Sequence, residues 1–315
     1  DIHVTLEGLR IQNPGEMAGV GVTAMAPTYL TRCRIGGWEQ GAVAADGGWI
    51  WVQRSDFIRN GTALCIDTTQ SSSWGGNLRS GNFIRNGTAI EALRQRGAQV
   101  TSEMEVFFEV CPCPILAVTG SDGKTTTTTI LSRLLAAEGN MVHVGGNIGH
   151  PLLCDTPEMA PEDAVVLELS SFQLMTMQKS PHIAVTTNLA PNHLDVHKDY
   201  QEYVDAKANI FTHQSANDIA VFNADNGDTV KQAAKAVGEV RWFSRQRRVD
   251  NGVFCEDGVI YEAVKGVVTP IMETKEILLP GVHNIENYMA AFAAARGMVS
   301  YETMREIART FAGVE

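Results

Sequence analysis

Residues 114–126 read P-I-L-A-V-T-G-S-D-G-K-T-T. An apolar strand ends there in a glycine-containing loop, followed at once by Lys124 and Thr125 and by a helical pattern through Ile130, Leu131, Leu134 and Leu135. That order of parts suits phosphate. Gly120 and Gly123 let the loop N–H groups, through Ser121 and Asp122 to Thr126, turn toward anionic oxygens. The helix N-terminus adds partial positive charge. In loops of this kind the lysine, here Lys124, neutralises β- and γ-phosphates, and the hydroxyl that follows, here Thr125, holds Mg²⁺. Val118 stands where the strict G-x-x-x-x-G-K-[ST] pattern has its first glycine.

Other residues have chemistry to offer from a distance. Glu168 lies near the end of an apolar strand, 164–169, where a buried carboxylate is expensive without a partner, so a cation is expected beside it. His193 follows the apolar strand 183–187 on a loop. Lys207 sits in a helical pattern with Tyr203, Ala206 and Ile210 and on its own reads as a solvated helix lysine. Asn284 and Asn287 are three apart, on one helix face, ahead of a small-residue run from Ala290 to Ala295; capping is the plainer alternative for them.

Elements that position these residues follow from the patterning. From about residue 97, apolar runs at 115–118, 165–169, 183–187 and 219–223 alternate with helical patterns near 125–138, 200–211 and 228–237. This predicts an α/β P-loop domain with a mainly parallel sheet. Residues 1–92 have a different grammar. F-I-R-N-G-T-A at 57–63 returns at 83–89, and looser copies at 9–13 and 33–37 put Ile11, Ile35, Ile58 and Ile84 at spacings in the twenties. Such a period predicts a solenoid. The reading is an all-β parallel β-helix, with Asn-Gly at tight corners and the isoleucines on one interior column. Asn60 and Asn86 open glycosylation sequons, but both fall at the same repeat phase and read as corner asparagines.

The motifs from residue 90 onward resemble the Mur ligases of peptidoglycan synthesis. The resemblance rests on T-G-S-D-G-K-T-T at 119–126, G-G-N-I-G at 145–149, L-E-L-S-S-F-Q-L at 167–174, T-N-L-A-P-N-H-L-D at 187–195, Ala206-Lys207 and H-N-I-E-N at 283–287, in family order. The L-E-L-S-S-F-Q-L run is similar to that of the D-glutamate-adding branch. Membership implies an ATP-dependent ligase: ATP phosphorylates the carboxylate of UDP-MurNAc-L-alanine, and the D-glutamate amine displaces phosphate to form an amide. It implies that Lys124, Glu168, His193 and Lys207 are catalytic, with Thr125, Glu168, His193 and a carbamylated Lys207 holding two Mg²⁺ ions. Asn284 and Asn287 would lie near the ATP base and ribose, and Asn147 at the UDP-sugar, supported by Ser170 and Gln173. Asn192 stands where the family usually has Asp, which removes one negative charge near the second metal.

The expected organisation is therefore a β-helix segment over 1–92, a central ATP-binding domain over 97–297, and at 298–315 the start of a connection to a missing C-terminal domain. The family's UDP-binding and D-glutamate domains have no counterpart, so weak ligation or none is expected. Two other readings compete: another Mur or folylpolyglutamate-type ligase, and a nucleotide-binding scaffold whose β-helix recognises a glycan. The chain opens on Asp1, as a fragment or processed product would. The net charge of −11 disfavours nonspecific nucleic-acid binding. No stretch approaches the roughly 20 apolar residues of a membrane span. The cysteines at 33, 65, 111, 113, 154 and 255 read as reduced thiols, and C-P-C at 111–113 lacks zinc-knuckle spacing. With its cytosolic substrates, the ligase half predicts a cytoplasmic protein, although a β-helix fits a secreted one equally well.

Overall fold

The computed structural model describes all residues except 1–3, 16–17, 26, 45–48, 59, 61, 67–75, 80–81, 85–101, 192–196, 198 and 315. The chain forms two compact units, Asp1–Val100 and Thr101–Glu315. Among the described residues of the first are eleven short strands: β1 (Val4–Glu7), β2 (Arg10–Gln12), β3 (Val20–Ala24), β4 (Pro27–Thr31), β5 (Arg34–Gly36), β6 (Gln40–Ala44), β7 (Trp49–Gln53), β8 (Asp56–Ile58), β9 (Thr62–Ile66), β10 (Gly76–Arg79) and β11 (Asn82–Ile84). Every third strand pairs, in parallel, giving the sheets β1-β4-β7-β10, β2-β5-β8-β11 and β3-β6-β9. Leu30, Ile35, Ala42, Ala44, Ile50, Val52, Phe57 and Leu64 pack into one core between them.

The interior column differs from the expected row of isoleucines. Ile11 pairs with Ile35, but Ile35 pairs with Phe57, and Phe57 with Phe83. Ile58 lies opposite Gly36 and is half-buried, whereas Phe57 is fully buried. The second and third coils differ by 22 residues rather than 23, and in a strand a one-residue slip turns every side chain to the other face. Asn60 pins this register. Its Oδ1 accepts from the Trp38 N–H at 3.1 Å and its Nδ2 donates to the Ile35 carbonyl at 3.2 Å. At 1% exposure the Asn60 amide is committed to the corner, not displayed as a sequon. Asn86 lies outside the described residues.

The second unit opens with α1 (Glu103–Val110), β12 (Ile115–Thr119), α2 (Lys124–Ala137), β13 (Val142–Gly146), β14 (Ala164–Glu168), the short α3 (Ser171–Leu174) and β15 (Ile183–Thr186). It continues through α4 (Tyr200–Ala208), β16 (Ile219–Asn223), α5 (Gly227–Ala233) and strands β17 (Glu239–Ser244), β18 (Gly252–Glu256), β19 (Val259–Val264) and β20 (Val267–Glu273). It closes with α6 (Val282–Ala295) and α7 (Tyr301–Thr310). One nine-stranded sheet runs β13-β14-β12-β15-β16-β17-β18-β19-β20. Its first seven strands are parallel and β18-β19-β20 form an antiparallel extension.

The parallel strands are buried on both faces, so they read as continuous apolar runs. Leu116 and Val118 of β12 face a core with α2, α6 and α7; Ile115 and Ala117 face one with Phe107 of α1, Ala208 of α4 and Ala233 of α5. The small-residue run in α6 is buried all round, which suits a helix sandwiched against α2 and the sheet. Met304, Ala308 and Phe311 complete the first of these two cores. No helix of the described residues is long and apolar enough to cross a membrane.

The register makes a prediction. Phe57→Ala removes a ring from the first core and costs about 3–5 kcal/mol, and Ile58→Ala costs clearly less. Urea unfolding followed by tryptophan fluorescence checks this, because Trp38, Trp49, Trp51 and Trp74 fall in the first unit and only Trp242 in the second.

Candidate nucleotide site

Strand β12 lies between β14 and β15, so the chain crosses over to opposite sides of it. Ligands gather at such a switch point, beyond the carboxyl ends of the strands. Three strand ends meet there: Thr119 leads into the glycine loop, Glu168 ends β14, and Thr187 and Asn188 follow β15.

The loop is held from both sides. Gly120 (φ 148°) and Gly123 (φ 76°) adopt backbone conformations that L side chains rarely take. A Cβ at Gly120 would fall 1.9 Å from Thr187 Oγ1, and one at Gly123 would fall 2.2 Å from Asn287 Oδ1. The Asn188 Oδ1 accepts from the Ser121 N–H (3.1 Å) and the Asp122 N–H (2.9 Å). Thr187 Oγ1 donates to the Asp122 carbonyl at 2.6 Å. Ser121 Oγ, buried, bonds the carbonyl and N–H of Ala190 and lies 2.9 Å from the Tyr203 hydroxyl. The front half of the loop is thus occupied with its own support. The back half is open: no side chain caps α2, so the N–H groups of its first turn, Lys124 to Thr126, lack intrahelical partners and form an anion pole. Lys124 Nζ rests on the Ser121 carbonyl at 3.0 Å.

Beside that pole sits Glu168, only 2% exposed. Thr125 Oγ1 donates to its Oε2 at 2.6 Å and Asn147 Nδ2 to its Oε1 at 2.8 Å. Asn147 is aimed by the turn after β13, where its N–H bonds the Glu168 carbonyl at 2.7 Å. Glu168 has no salt bridge among the described residues, so the carboxylate is hydrogen-bonded but not neutralised by a direct ion pair. Hard oxygen donors from Thr125 and Glu168, next to an anion pole, fit Mg²⁺ bridged to phosphate. Among the described residues no three His, Cys, Asp or Glu side chains converge on one point. His193 and Asn192 lie outside the described residues.

Lys207 is 3% exposed rather than solvated as its helical pattern suggests. α4 turns it inward, its Nζ 3.3 Å from Thr119 Oγ1 and 4.9 Å from the Tyr203 ring centre. Burial and the nearby positive charge of Lys124 lower its pKa to about 7, against the upward pull of Glu168. Asn287 Nδ2 donates to Asn284 Oδ1 (3.0 Å), confirming one shared face, while Asn284 Nδ2 binds the Pro280 carbonyl at 2.6 Å. Asn287 Oδ1 also accepts from Thr127 at 3.3 Å, so this pair braces α2 and the loop. Ser170 and Gln173 bond each other in a capping box at the start of α3. Sequence reasoning assigned no role to Tyr203, Thr187 or Asn188. The last two lay inside a quoted motif, but their support of the loop depends on β15 neighbouring β12.

A glycine loop at the switch point of a parallel sheet, with a buried carboxylate facing its threonine, defines an α/β unit with a candidate anion site. Residues 118–295 match the family described as Mur ligase middle domain, and the chain belongs to the Mur ligase family. It is 51% identical over 226 residues to the UDP-N-acetylmuramoylalanine–D-glutamate ligase of Acetivibrio thermocellus, covering 72% of this chain and 48% of that protein. The protein of the same name from Ruminiclostridium cellulolyticum is 52% identical over 226 residues, with the same coverage. The chain therefore spans about half the length of these relatives. Among solved structures, a UDP-N-acetylmuramoyl-L-alanyl-D-glutamate–2,6-diaminopimelate ligase superposes with a TM-score of 0.55 at 19% identity, over 83% of this chain and 61% of that one. A UDP-N-acetylmuramoylalanyl-D-glutamyl-2,6-diaminopimelate–D-alanyl-D-alanyl ligase from Acinetobacter baumannii gives 0.51 at 20%, over 66% and 48%. These likenesses define the fold.

The buried lysine sets a pH dependence. Lys207 titrates at about 7 in the folded chain against 10.5 as an ordinary lysine. Between those values the unfolded chain binds more protons, so this group makes stability rise with pH across that window; below about 7 both states are protonated and its contribution is flat. In metal-free, bicarbonate-free buffer, urea midpoints of Lys207→Met should lack this component of the slope relative to wild type.

Proposed function

We propose that this chain carries the ATP and metal machinery of a ligase that adds D-glutamate to UDP-MurNAc-L-alanine in peptidoglycan precursor synthesis. The observation that carries the reading is the Thr125–Glu168 contact at the open end of the phosphate loop. In this reading the first turn of α2 and Lys124 hold the β- and γ-phosphates, with Asn284 and Asn287 toward the base and ribose. Thr125 and Glu168 hold a Mg²⁺ ion, which when bound offsets charge on the transferring phosphoryl group. A carboxylate oxygen of the UDP-MurNAc-L-alanine attacks the γ-phosphorus and ADP departs. The D-glutamate amine then attacks the acyl phosphate carbon, phosphate leaves, and the amine loses a proton. Both steps build negative charge on oxygen, which Lys124 and the α2 amides face.

Lys207 enters as a carbamate. A lysine near neutrality presents a free amine to CO₂, and the product is an anion suited to a metal rather than a cation repelled by one. Its pKa of about 7 supports that reaction at cellular pH. His193 is the proposed ligand of a second metal, with Asn192 weakening that site, and Asn147, Ser170 and Gln173 border the UDP-sugar. We read 1–92 as a parallel β-helix fused to a central ATP-binding domain that starts near 97. The substrates place the reaction in the cytoplasm.

Calorimetry with ADP and Mg²⁺ tests the nucleotide site. Wild type should bind, and Gly123→Ala and Lys124→Ala should weaken binding by more than about tenfold, the first by misshaping the loop and the second by removing a phosphate contact worth about 1.5–3 kcal/mol. Equal binding by all three proteins sinks the site. With ¹³C-bicarbonate, a carbamate carbon signal should appear and be absent from Lys207→Met.

A further inference from the structure

Cys111 and Cys113 lie outside the nucleotide site and have no part in it. Cys111 caps α1, its N–H bonded to the Phe107 carbonyl, and Cys113 begins the approach to β12. Their sulfurs stand 3.6 Å apart. Cys113 is buried and Cys111 half-buried. Pro112 and Pro114 fix φ on either side and bias the cysteines that precede them toward extended backbone, so the two thiols are held together before any bond forms. Holding reacting groups at contact raises an intramolecular rate strongly over the same reaction between separate molecules.

We infer that Cys111 and Cys113 form a reversible dithiol–disulfide site, a modification site at the junction of α1 and β12 that takes small-molecule disulfides as its oxidant. The Cys111 thiolate attacks one sulfur of the external disulfide, forming a mixed disulfide and releasing one thiolate. Cys113 then gives up its proton and attacks the Cys111 sulfur, closing the protein disulfide and releasing the second thiolate. Two protein thiols lose two electrons and two protons; one external disulfide becomes two thiols. Cys111 makes the first attack because it is the more accessible. Burial and the neighbouring Cys111 sulfur raise the Cys113 pKa to about 12, so the closing step accelerates with pH, while contact between the two sulfurs keeps the mixed disulfide from accumulating.

The test treats the whole folded chain with oxidised glutathione at about pH 8, near an ordinary thiol's pKa, followed by alkylation and peptide mass spectrometry. The peptide containing Cys111 and Cys113 should lose two hydrogens and resist alkylation, and dithiothreitol should restore both thiols. Cys113→Ser, verified as folded by circular dichroism, should instead retain one glutathione on Cys111, at an occupancy about tenfold above wild type. Exposed Cys154 serves as the internal reference for reagent reactivity. Wild-type protein that accumulates the same Cys111 adduct as the variant would overturn the inference, as would a Cys111 that stays reduced while Cys154 is modified.

Discussion

The arrangement of the second unit turns on one buried carboxylate. Glu168 ends an interior strand of the sheet, at a depth where an ion without partners is costly by several kcal/mol. Two donors reach it, and each arrives from a different crossover. Thr125 is there because α2 begins immediately after Gly123; Asn147 is there because the chain turns sharply after β13. Neither donor brings a positive charge. The carboxylate is kept soluble within the protein, by hydrogen bonds, yet remains electrostatically unsatisfied beside an anion pole. In the proposed reading, a divalent cation shared with phosphate would resolve both imbalances at once.

The glycine loop divides its labour along its length. A loop with every N–H turned to phosphate would need outside support for its shape. Here Ser121 and Asp122 give their N–H groups to Asn188, and Thr187 grips the Asp122 carbonyl. Asn287 approaches from the far side, at Gly123. The support comes from β15 and α6, elements far apart in the chain but adjacent in space. Their packing therefore sets the loop's geometry, and the small side chains of α6 are what let that helix come close.

Much of this was legible because the relevant signals are local. The strand–loop–helix order at 114–138, the apolar runs of the parallel strands and the shared face of Asn284 and Asn287 all lie within a few residues of one another. What escaped was set by contacts between distant segments. Lys207 has the pattern of a surface lysine until α4 is laid against the sheet, and no local property marks it as buried. Ser170 and Gln173 also bond each other in a capping box, a second role that the S-x-x-Q spacing offers beside the proposed one at the UDP-sugar. In the first unit the isoleucine column failed because coils of unequal length need not keep a residue type in register; the larger Phe57 took the interior place. The antiparallel strands β18–β20 and helices α1 and α7 carried no motif to draw notice.

Lys207 feels two charges of opposite sign, those of Lys124 and Glu168. Lys124 rests on the Ser121 carbonyl at the loop, where in the proposed reading its fixed positive charge faces phosphate. Lys207 is enclosed, with Thr119 and the Tyr203 ring as its nearest partners. A second fixed cation at that depth would compete with a metal for Glu168 and would cost its own desolvation. The fold avoids this by burying the amine until its proton is weakly held, with Lys124 reinforcing the effect. Lys124, the proposed phosphate lysine, is thus also one of the reasons its neighbour can shed its charge, so the two positions act as one electrostatic unit and a change at Lys124 is felt at Lys207.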